Sequence, residues 1–61
     1  MDNFGDELIT VDELCEMLMI GKNLAYRLLS SGEIKCFKIS RSWKIPRSSV
    51  IEYITRQCAN S

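Results

Sequence analysis

The chain has 61 residues, 46% of them apolar, with one proline, three glycines and a formal net charge of zero. That describes one domain near the lower size limit for unaided folding, too apolar for a disordered chain. No apolar run approaches the roughly 20 residues of a membrane span. The start, Met1 to Glu7, is acidic where a signal peptide needs positive charge, so the chain reads as cytoplasmic.

Cys15, Cys36 and Cys58 are far apart and there is no histidine, which argues against a zinc site. The three thiols read as reduced packing or inert surface residues. Nothing resembles a glycine-rich phosphate loop or a nucleophile with its base, so a non-enzymatic protein without cofactor or metal is expected. The charges are segregated. Residues 1–20 hold six acids and no Lys or Arg, whereas residues 21–61 hold all eight Lys and Arg against Glu33 and Glu52. On charge alone, a basic surface for phosphates and mutual neutralisation within the fold are equal readings.

In chain order, residues 1–8 read as a flexible acidic leader. Thr10 and Glu13 have the spacing of a capping box, which starts a helix at Val11 that ends near Met19. Val11, Leu14, Cys15 and Leu18 form its buried stripe. Gly21 interrupts the pattern and a second helix begins at Lys22, with Leu24, Ala25, Leu28 and Leu29 on its apolar side. Ser30-Ser31-Gly32 is its stop, and the two short helices read as a helix-turn-helix.

Two strands follow, Ile34 to Ile39 and Trp43 to Ile45, with Ser40-Arg41-Ser42 as the tip. Phe37, Ile39, Trp43 and Ile45 share one parity and are expected on one buried face. With Ile39 opposite Trp43, Lys38 falls opposite Lys44. A like-charge pair there costs about 0.2–1 kcal/mol, more tolerable if an anion lies against the face. Pro46 suits the first turn of a third helix, whose apolar side is Val50, Ile51, Ile54 and Cys58. The domain is expected over residues 9–57, with a tail at 58–61. The expected fold class is α+β, mainly helical: a winged helix-turn-helix.

A recognition helix reads the major groove with residues near its N-terminus, here Lys22 and Asn23, with Tyr26 and Arg27 one turn on. Lysine suits guanine and asparagine suits adenine. Leu24 reads as core, with contact to a thymine methyl as the alternative. Tyr26 reads equally as a base contact or as a core residue whose hydroxyl meets a phosphate. In the wing, Arg41 is placed to enter a minor groove. Lys38, Ser40, Ser42 and Lys44 are expected on phosphates, as is Arg47 at the start of the third helix.

These residues resemble the excisionase-type helix-turn-helix domains, relatives of the MerR-like winged helices. The resemblance rests on Thr10/Glu13, Tyr26-Arg27-Leu28, Ser31-Gly32-Glu33-Ile34 and the Phe37 to Pro46 wing, and covers about residues 8–56. Met19 and Ser40 stand where the family commonly has glycine, and Gly21 where it commonly has serine. The resemblance implies a non-catalytic protein that binds double-stranded DNA near an attachment site, commonly in several neighbouring copies. It would assist a tyrosine integrase in excising a mobile element or prophage, on the nucleoid of a bacterial host. A small transcriptional regulator with the same domain, and a protein-interaction module whose acidic leader and first helix bind an integrase, are the alternatives. Monomer in solution is the default expectation.

Overall fold

A computed structural model describes residues 7–59. The elements are β1 (Leu8–Ile9), α1 (Val11–Leu18), α2 (Lys22–Ser30), β2 (Phe37–Ile39), β3 (Ser42–Pro46) and α3 (Arg47–Ala59). Among the described residues, three helices and a three-stranded antiparallel sheet of order β1-β3-β2 make a small α+β winged helix-turn-helix.

Local chemistry accounts for the two leading helices. Thr10 caps α1 reciprocally with Glu13: the Glu13 amide donates to the Thr10 hydroxyl at 3.2 Å, and the Thr10 amide donates to the Glu13 carboxylate at 3.0 Å. At the other end Met19 takes the left-handed conformation, φ 57°. The Ile20 amide then donates to the Cys15 carbonyl at 3.0 Å, the six-to-one bond of a Schellman ending. Gly32, at φ 84°, plays the corresponding part after α2.

The core is small. Leu14 of α1, Ala25, Leu28 and Leu29 of α2, and Ile34 in the following loop are buried together with Ile9, Ile45 and Val50. Every element contributes except β2, whose three residues are all exposed.

Several expectations for the wing and its flanks need correction. The loop has two residues, Ser40 and Arg41, because Ile39 pairs with Ser42, Lys38 with Trp43 and Phe37 with Lys44. Ser42 is therefore a strand residue, and the two lysines are not opposite each other. A slip of one residue exchanges the faces of a strand. Phe37 and Ile39 accordingly face outward, 46% and 56% exposed, while Trp43 and Ile45 keep the inner face. The like-charge pair is replaced by Lys38 over the Trp43 ring, with its ammonium 4.9 Å from the centroid.

Leu8, assigned to the leader by the sequence reading, is instead the first residue of β1, and Ile9 pairs with Ile45. Glu7, also in that segment, is bonded to Arg47, and residues 1–6 lie outside the described residues. Pro46 ends β3, and α3 begins at Arg47 and runs to Ala59, through the start of the expected tail. Within α3, Val50 is buried and Tyr53 half-buried against the core, whereas Ile51, Ile54 and Cys58 are exposed. The helix is turned by roughly one residue from the expected phase, so Tyr53 packs where Ile54 was placed.

Candidate nucleic-acid interface

The second helix presents its polar arc because Ala25, Leu28 and Leu29 take its inner side. Lys22, Asn23, Tyr26 and Arg27 are all exposed. Asn23 and Arg27 make no side-chain hydrogen bond or ion pair among the described residues. Lys22 reaches across to α1, where its ammonium lies 3.1 Å from the Asp12 carboxylate. That hydrogen bond, and then the negative charge behind it, raise the Lys22 pKa above its ordinary value.

The wing tip stands beside this helix. Since β1 pairs only with Ile45 and Pro46, the same edge of β3 is left open over 42–44. The open edge lines a groove of about 260 Å³ together with Thr10, Val11 and Tyr26. Arg41 and Lys44 also line this groove, and neither is engaged by another side chain among the described residues. Arg41 stands on the loop beside Ser40, whose φ of 57° is the left-handed region. A positive φ at only the first of two loop residues is the φ pattern of a II′ hairpin turn, which favours glycine there.

The structure thus brings Tyr26, Arg41, Ser42 and Lys44 to one groove, with Asn23 and Arg27 on the adjoining outer arc of α2. Besides Lys22, two more of the candidates are diverted. Lys38 is drawn to the Trp43 ring. Arg47 is tied twice to Glu7: its amide donates to the Glu7 carbonyl at 2.8 Å, and its guanidinium donates to the carboxylate at 3.1 Å.

On α2 one side chain expected in the core is exposed. Leu24 is 43% exposed and takes no part in the buried cluster. The available signal was its place at the edge of an apolar arc wider than so short a helix can bury. Of the thiols, Cys36 donates to the Leu29 carbonyl at 3.7 Å, and burial pushes its pKa up.

Comparison with known proteins bears on this surface. The family model of the helix-turn-helix domain matches residues 8–58. A protein of Saccharopolyspora erythraea described as a probable excisionase is 38% identical over 52 residues. The chain belongs to the excisionase-type helix-turn-helix family. The aligned part is 85% of this helix-turn-helix chain and 53% of the relative, so the chain spans about half the length of the curated relative it matches. No solved structure matches it. No helix among the described residues is long and apolar enough to cross a membrane.

Proposed function

We propose that this helix-turn-helix domain binds double-stranded DNA in a sequence-specific manner and serves as an excisionase. The observation that carries the reading is that the second helix and the wing tip flank one groove, with side chains from both elements turned toward it. In this reading α2 enters the major groove, where Asn23 bonds a base edge and Lys22, Tyr26 and Arg27 support it. Arg41 enters the neighbouring minor groove. Lys38, Ser40, Ser42, Lys44 and Arg47 hold phosphates, Arg47 once it releases Glu7.

The protein acts by shaping a complex and carries out no bond chemistry of its own. Its partners are a tyrosine integrase and neighbouring copies of itself on the bacterial nucleoid. The relative's description as a probable excisionase supports this role.

Mobility shift on duplexes from the host element, repeated across salt concentrations, tests binding. Affinity should fall steeply with salt, because neutralised phosphates release counterions. Binding to no duplex, or binding indifferent to salt, would overturn the reading. Adding the protein to its cognate integrase should raise the yield of excised product. An unchanged yield with intact duplex binding would remove the excision role alone.

A further inference from the structure

We propose that Leu24 is a specificity-determining residue that reads the C5-methyl group of a thymine; the inference rests on the DNA-binding reading above. Leu24 lies in the first turn of α2, next to Asn23. That turn of a recognition helix is the part that meets base edges. Its side chain is 43% exposed although the helix buries Ala25, Leu28 and Leu29, and it is absent from the core cluster and from the residues packed around it. A large aliphatic group held in water beside an unpartnered asparagine has two chemistries to offer a major groove. Asn23 matches the donor and acceptor of adenine, and an apolar side chain matches the one apolar feature of the groove, the thymine methyl. Together they select an A·T-bearing step where either alone would select less.

Leu24 does not line the wing groove, so its effect is separable from phosphate binding. Covering one methyl group is worth about a four-fold change in affinity.

The experiment begins with selection from a randomised duplex library by the wild-type protein and by Leu24→Ala. The wild type should enrich thymine at a position that Leu24→Ala leaves open, with the other positions unchanged. Each thymine of the selected duplex is then replaced by uracil, which removes only the methyl group. Wild-type affinity should fall about four-fold at that one position and hold at the others, and Leu24→Ala should be indifferent to the change. If wild-type binding is unaffected by uracil at every position, the inference is overturned, and this arm needs no variant to fold. An unchanged thymine preference in a folded Leu24→Ala overturns it equally. Failure of the wild type to enrich any sequence overturns the DNA-binding reading itself.

Discussion

The helix pair and the wing hairpin are held in different ways. The first helix has a reciprocal cap at its start and a Schellman ending, and α2 buries three residues of its own. In the hairpin, β2 buries nothing, its two apolar residues face outward, and its loop opens on a serine at positive φ. A two-stranded hairpin is marginal in water by itself. The ordering of this wing therefore comes from β3, which Ile45 anchors in the core and β1 pairs on its far side. The scaffold of the second helix is fixed by packing, whereas the reach of the wing is fixed by one anchored strand.

The largest expected effect separates the two strands of the wing. Ile45→Ala should cost about 2–5 kcal/mol, a large share of what so small a domain has. Ile39→Ala should stay within about 0.5 kcal/mol. Urea denaturation measures both, and equal costs would turn β2 inward and restore a three-residue loop. Next comes the cap of the helix pair. Thr10→Ala should lose about 1 kcal/mol, read from the same midpoints, with no effect on the wing's side-chain shifts by NMR.

A smaller gain is expected where the two regions share a problem. Among the described residues, Met19 and Ser40 are the two non-glycine residues with positive φ, and left-handed backbone costs an ordinary residue about 1–2 kcal/mol. Glycine at either position removes that strain and returns part of it as added entropy of the unfolded chain. Met19→Gly and Ser40→Gly should each stabilise by about 0.5–1 kcal/mol. Hydrogen exchange should report Met19→Gly across the whole core and Ser40→Gly mainly in the amides of β2. The smallest effect on stability belongs to Asp12→Asn, an exposed partner of an exposed lysine, which should leave the denaturation midpoint in place. Released from Asp12, Lys22 should tighten duplex binding through the base edge it meets. An unchanged affinity would show that Lys22 takes no part in the interface.

The helix pair was legible because several independent signals agree there. The Thr10/Glu13 spacing, the 3.6-residue period and Gly32 all mark the same boundaries. The hairpin was legible in place and not in face, since alternation is equally satisfied by loops of two and three residues. Only the backbone at Ser40 decides between them. In α3 the pairs Val50/Tyr53 and Ile51/Ile54 offer two overlapping stripes, and the direction in which the chain leaves β3 selects the first. Two residues carry no period, so β1 had no signal at all. At the candidate interface, charged side chains were found by type and position. Their engagement with Asp12, Trp43 and Glu7 depends on contacts between elements that a linear pattern does not contain.

The pairing of Leu8 and Ile9 with β3 also bears on solubility. β3 is the longest strand, five residues, while β1 has two and β2 three. Exposed strand edges template pairing with other chains, and short edges resist it. By flanking β3 with a shorter strand on each side, and setting Lys44 beside the outward Phe37 and Ile39, the fold leaves an aggregating neighbour little continuous edge on which to add.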